Sequence, residues 1–173
     1  MNVHTCTPEG GEAFSPEHLR TIFRNHPAGV TVITLADGER LIGFTATSVT
    51  SVSASPPVIA FSVVGSSSSW PSIANAKSVI IHFLEYYHHP LAATFATSGI
   101  DRFADVAWQL TPTGEPLLLD VGTWTRCSVL AHYPAGGSFI VLVQPEGAAI
   151  SKMHQPMVYQ DRAFHALGPE VRG

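Results

Sequence analysis

Residues 43–69 read GFTATSVTSVSASPPVIAFSVVGSSSS, and the change of character within them decides the fold class. Hydroxyls stand at Thr45, Thr47, Ser48, Thr50, Ser51, Ser53 and Ser55, after which Pro56-Pro57, unable to donate to a sheet ladder, marks a crossing between strands. Val58 to Val64 is too continuously apolar for an exposed strand and is expected to run through a core. The stretch ends on Ser66, Ser67, Ser68 and Ser69, closed by Trp70-Pro71, a bulky anchor and a proline suited to a first helical turn. Hydroxyls both donate and accept, so this cluster beside a buried strand suits a polar ligand held against an apolar floor. The first amides of a helix lack partners and its dipole favours negative charge, so the serine run is a candidate phosphate site.

Outward from this stretch the chain reads as strands with a few short helices. Ser15-Pro16-Glu17 supplies an N-cap, a proline at the first helical position and an early acid, predicting a short amphipathic helix from Ser15 to about Arg24. Val30 to Leu35 and Arg40 to Ala46 flank the turn signal Asp37-Gly38 and are expected to pair as a hairpin. Ser69 to Lys77 is expected to form one or two helical turns, Ser78 to Leu84 a buried strand, and His89 to Thr97 a second helix. Residues 98–126, with several prolines and glycines and the aromatics Phe103, Trp108 and Trp124, read as a packed irregular segment. Strands are expected again at Cys127 to Tyr133, Ser138 to Gln144, Met157 to Gln160 and Ala163 to Leu167. Strands that do not alternate with long helices exclude a doubly wound sheet and predict a closed or nearly closed barrel.

The 173 residues fit one domain, expected over 15–173 behind a flexible lead-in over 1–14. Charged residues make up only 13% against 45% hydrophobic, which leaves little polar material to cover a monomer and points to a homodimer. A net charge of −4 without a Lys/Arg cluster argues against nucleic acid or an anionic membrane as partner. Cys6 and Cys127 have neither metal nor redox spacing and read as free thiols; with no signal peptide or membrane span in the sequence, a cytoplasmic protein is expected. The nine histidines form no HxH, HExxH or Cys/His spacing suited to zinc, so no metal site is expected. No nucleophile elbow and no Gly-x-Gly-x-x-Gly occurs.

From about Phe23 to Leu167 the chain resembles the flavin reductase-like family, the FMN-binding split barrels that supply reduced flavin to monooxygenases. The resemblance rests on Phe23-Arg24 with His26-Pro27-Ala28-Gly29-Val30-Thr31-Val32, on Gly43-Phe44-Thr45-Ala46-Thr47-Ser48, on Ser51-Val52-Ser53 with Pro56-Pro57, on Ser67-Ser68-Ser69-Trp70, and on Asp101-Arg102-Phe103. It implies a mainly β, Greek-key split barrel with short flanking helices, binding FMN, or FAD by its FMN half. Thr45, Ala46, Thr47 and Ser48 are then expected at the polar edge of the flavin ring, Ser51 or Ser53 at the ribityl chain or phosphate, and Ser66 to Ser69 with Arg102 and the adjoining Phe103 at the phosphate. The rival role for Arg102 is a surface ion pair with Asp101 or Asp105.

The sequence departs from the family pattern twice. Gly136-Gly137-Ser138 stands where the family has a Gly-Asp-His motif linked to nicotinamide binding, and His82, expected in the flavin neighbourhood, stands where it usually has Asn. The implied activity is hydride transfer from NADH or NADPH to the flavin, serving a partner monooxygenase. The alternatives are a flavin-binding electron-transfer or storage protein without efficient reductase activity, and a barrel that holds a different phosphorylated ligand.

Overall fold

The structure is a computed structural model that describes residues 13–152 and 155–168. Cys6 and nearly all of the expected lead-in fall outside them. In chain order the elements are α1 (Pro16–Arg24), β1 (Ala28–Gly29), β2 (Thr31–Asp37), β3 (Arg40–Ala46), β4 (Thr50–Ala54), β5 (Pro57–Val64), α2 (Trp70–Asn75) and β6 (Ser78–Phe83). A 3-10 turn (Tyr86–His88) leads into α3 (His89–Ala96), then β7 (Trp108–Leu110), β8 (Pro116–Leu118), β9 (Trp124–Ala135), β10 (Ser138–Ala149), β11 (Met157–Gln160) and β12 (Ala163–Ala166). Strand accounts for 49% and helix for 17% of the described residues, a mainly β split barrel.

Seven strands form one antiparallel sheet in the order β3-β2-β6-β9-β10-β5-β4. β3 and β4 are neighbours in sequence but stand at opposite edges of this sheet, so only residues 47–49 join the two edges. The split in the barrel therefore lies where the hydroxyl-rich stretch passes. Small sheets, β1-β11-β12 and β7-β8, flank the main one.

β2 explains how the two layers are tied together. Ile33 and Leu35 point into the barrel with Phe61, Val79, Ile81, Val141 and Val143, while Val32 on the other face packs with Leu84, Phe95, Leu118 and Met157. A strand buried on both faces must be apolar or satisfied at every position. Thr34 meets this condition by donating to the Pro116 carbonyl at 2.6 Å, and Thr31 by donating to the Ala46 carbonyl at 2.9 Å.

Most boundaries agree with the sequence, and three differences have physical causes. Pro56-Pro57 is a hairpin turn, because β4 and β5 pair directly with Ala54 opposite Pro57. Residues 98–126 contain a hairpin of three-residue strands, β7 and β8, held on β2 and β6 by tertiary bonds that no local pattern announces. β9 and β10 run to 12 residues each, past Pro145, which is accommodated at a register shift between Pro145 and Gly147.

Candidate functional site

At the split, the backbone leaves the sheet and a side chain takes its place. Thr50 pairs with Ala60, so Ser48 would next face Ser62; instead its hydroxyl accepts from the Ser62 amide at 3.0 Å and donates to the Ser62 carbonyl at 3.1 Å. This bond satisfies the edge of β5 and frees the 47–49 backbone. The amides of Thr47, Ser48 and Val49 have no acceptor among the described residues. Those of Thr47 and Ser48 border a groove of about 730 Å³ lined by Thr45 to Ser48, Ser62, Ser66 to Ser69, the end of α3 and Arg102, within the ordinary range for a cofactor-sized ligand.

The serine run forms the opposite wall. The Ser67 amide donates to the Val64 carbonyl and the Trp70 amide to the Ser67 carbonyl, which closes two tight turns. Trp70 stacks on Phe139 with ring centroids 3.7 Å apart, anchoring the run to the tip of the β9–β10 hairpin. The Ser69 amide is taken by the Ser67 hydroxyl, whereas those of Ser66 and Ser68 have no partner among the described residues. α2 itself has only six residues and Ser69 makes no side-chain cap, so the serine loop and not a helix end supplies these donors.

Arg102 closes the groove at its third side. Its Nε donates to the Thr97 carbonyl at 2.7 Å, capping the last turn of α3, and one terminal nitrogen donates to the Gly43 carbonyl at 2.5 Å. Only two of a guanidinium's five N–H donors are so engaged. Partial burial lowers its pKa, yet a guanidinium keeps its charge. Among the described residues no carboxylate pairs with it: Asp101, the expected rival partner, accepts from the Phe103 amide instead. Arg102, Ser68 and Ser69 also border a recess of about 250 Å³ together with Arg40, a second cation that nothing in the sequence pattern singles out.

The structure thus brings Thr45, Ala46, Thr47, Ser48, the four serines and Arg102 to one groove. The Thr45 hydroxyl is already committed to the Ala92 carbonyl at 2.6 Å, tying β3 to α3. Ser51 and Ser53 stand on the edge strand β4 and do not line the groove of this chain. Phe103 lies in the core, edge-on to Phe95 at 5.1 Å, where it anchors Arg102 from below. His82 is fully buried: Nδ1 donates to the Val32 carbonyl and Nε2 accepts from the Leu118 amide, each at 3.1 Å, and burial brings its pKa down to about 4. It ties β2 to β8 and faces no groove. Ser62, Phe95 and Ala96 line the groove without any signal in the sequence, because only the fold brings β5 and α3 beside residues 45–48.

A guanidinium with no carboxylate partner among the described residues and open loop amides facing a groove suit a phosphorylated ligand with acceptor atoms along one edge. A family model described as "Flavin reductase like domain" matches residues 23–168. The chain belongs to the flavin reductase-like domain family. An NADH:FMN oxidoreductase of Rhodococcus erythropolis is 41% identical over 174 residues, covering 95% of this chain and 88% of that protein. Among solved structures, an NADH:FAD oxidoreductase of Streptomyces globisporus, in complex with NAD and FAD fragments, superposes on this flavin reductase-like chain with a TM-score of 0.84 at 28% identity, covering 94% of this chain and all of that one. The flavin reductase component of a bacterial two-component tryptophan halogenase does so with a TM-score of 0.80 at 26% identity, covering 90% and 100%.

Proposed function

We propose that this chain is an NAD(P)H-dependent flavin reductase that holds FMN, or the FMN half of FAD, in the groove at the split. The observation that carries this is the pairing across one groove of two sets of donors without acceptors among the described residues: the Thr47 and Ser48 amides on one wall, and the Ser66 and Ser68 amides with the remaining N–H groups of Arg102 on the other. The residues fit the cofactor. Arg102, with Arg40 and the serine loop, would hold the phosphate, while the amides of Thr47 and Ser48 would face the acceptor atoms of the ring edge.

The flavin supplies the two-electron acceptor for the hydride. The chain contributes position and charge: its fixed amides favour negative charge on the ring edge without reorganisation, and its apolar wall of Phe44 and Phe95 limits water. No side chain among those lining the groove is placed as a general acid or base, and hydride transfer requires none. NADH is favoured as donor by the name of the Rhodococcus relative.

Two further elements belong to the same proposal. The outward face of the sheet exposes Leu130 and Tyr133 on β9, Ile140 on β10 and Val64 on β5, with Tyr133 opposite Ile140, and α1 buries none of its residues. A second copy of the chain is the occupant that we assign to this apolar surface. Reduced flavin would pass to a partner monooxygenase; the halogenase component, by its name, likewise works within a two-component system. Among the described residues no helix is long and apolar enough to cross a membrane.

Equilibrium titration of FMN against the purified protein, followed by steady-state oxidation of NADH with FMN as acceptor, tests the proposal. Saturable FMN binding with turnover supports it; binding without turnover would favour a flavin carrier, and no binding would remove the cofactor altogether.

A further inference from the structure

The serine run that forms one wall of the groove has little of its own to hold it in shape. Ser66 and Ser68 are exposed, and no apolar side chain occurs between Val64 and Trp70. A stretch of glycine and serine is a flexible linker unless something fixes it. The order of the run therefore depends on the two residues that bracket it, Gly65 and Trp70.

One ring stands beside both of them. Phe139, the second residue of β10, stacks on Trp70 with the planes 11° from parallel. A Cβ at Gly65 would lie 3.2 Å from Cε2 of the same ring and 3.2 Å from the Gly137 carbonyl oxygen, so a side chain there would crowd both the ring and the hairpin tip. The Gly65 amide donates to that carbonyl at 2.9 Å, one bond beyond the last ladder pair, Ser138 with Val64. Phe139 itself is paired on both sides, with Val63 of β5 and Pro134 of β9, so the sheet fixes its backbone. On the far side of Trp70, Ile73 enters the barrel core and the Ser72 hydroxyl donates to Asp37 at 2.8 Å, which fixes α2. The tip that makes these contacts is Gly136-Gly137-Ser138, and what it offers the serine run is a main-chain carbonyl.

We propose that Phe139 is a positioning residue for the flavin phosphate, acting through Gly65 and Trp70 to hold the Ser66 and Ser68 amides towards the groove before the ligand arrives. This rests on the flavin reductase reading for what those amides receive. Phe139 is not among the residues lining the groove, so its effect on the ligand passes through the loop. A loop ordered in advance adds nothing to the cost of binding, whereas a loop that the phosphate must order subtracts its backbone entropy from the affinity. The effect falls on the phosphate end of the flavin, because the ring edge meets Thr47 and Ser48, which belong to a separate segment.

The test compares the parent with Phe139→Leu, which keeps an apolar side chain and loses the flat face, by fluorescence titration with FMN and with riboflavin. The variant is expected to bind FMN about tenfold more weakly, as for charge-assisted amide bonds that are no longer preset, and riboflavin as the parent does. Equal losses for the two flavins, or no loss for either, overturn the proposal, since a merely structural ring does not distinguish ligands by their phosphate. Phe139→Tyr keeps the aromatic face and is expected to retain the parent's preference for FMN over riboflavin; a tyrosine variant that loses it also overturns the proposal. Should the leucine variant fail to fold, Gly65→Ala, which presses on the same ring and carbonyl, is put through the same titrations. Selective loss of FMN then supports the proposal, and equal losses or none overturn it. Amide hydrogen exchange over residues 65–70 of the full chain without added flavin gives a second reading. Faster exchange in the leucine variant supports the hold of Phe139 on the loop, and equal exchange overturns it. Failure of the parent to bind FMN would instead defeat the flavin reading, leaving hydrogen exchange to judge that hold.

Discussion

Arg102 donates to the Gly43 carbonyl at 2.5 Å, and this bond joins the cation of the groove to the strand that leads into its amide wall. Residue 43 has no side chain for a steric reason. A Cβ there would lie 2.3 Å from Cε1 of Phe95 and 3.1 Å from Cζ of Phe103, the residue next to Arg102 in the chain.

Gly43→Ala is expected to push Phe95 and Phe103 apart and displace Arg102 with them. Overpacking of this kind costs about 1–3 kcal/mol. Thermal denaturation checks the stability, and FMN affinity is expected to fall in parallel. An alanine variant with unaltered melting and FMN binding contradicts the close packing.

Arg102→Ala should weaken FMN about 10- to 100-fold, as expected for a lost charged hydrogen bond. Riboflavin, which lacks the phosphate, should lose much less. Equal losses for both ligands in a fluorescence titration remove Arg102 from the phosphate site.

His82 gives the fold an acid-sensitive joint. Its folded pKa is lowered to about 4 by burial, from an ordinary value of 6.5, so between these values the unfolded chain binds the extra proton. Stability is therefore full above about pH 6.5 and falls as pH drops towards 4, by an amount on the order of 3 kcal/mol. His82→Gln keeps a donor and an acceptor but cannot titrate. Its unfolding free energy should be lower at pH 7 yet flatter between pH 6.5 and 4.5; parallel curves for the two proteins rule out the joint.

Glu115 titrates in a lower window. Burial alone would raise its pKa, but hydroxyl bonds from Ser78, Thr111 and Thr113 outweigh this and hold it at about 2. Arg126 adds a guanidinium, with Nε 3.0 Å from the same carboxylate. This stability is present above about pH 4.5 and is lost as pH falls towards 2. Glu115→Gln removes the buried partner of Arg126, which keeps Glu146, and is expected to cost about 1–3 kcal/mol in denaturant unfolding at pH 7. A loss under about 1 kcal/mol would show that the pair is solvated in practice.

Much of the fold is legible in the sequence because it is local. The hairpin at Asp37-Gly38 follows from a turn residue free to adopt positive φ, and Gly38 has φ +60°. Ser15 caps α1, with His18 completing the box. Trp70 as anchor of the serine run also follows from residue type. What is not legible depends on contacts distant in sequence. The Thr45 hydroxyl is turned away from the groove by a carbonyl 47 residues on, and His82 is drawn into the core by Val32 and Leu118, 50 and 36 residues away. Arg40 gives no signal because its partners in the recess come from separate elements.

The most direct measurement is an anaerobic titration of the FMN-loaded protein with NADH, followed by the visible absorbance of the flavin. Loss of the oxidised flavin bands in proportion to added NADH, and their return on admitting oxygen, is the predicted result. A protein that holds FMN but whose spectrum stays unchanged with excess NADH and with excess NADPH contradicts the reductase, and one that holds no FMN contradicts the groove.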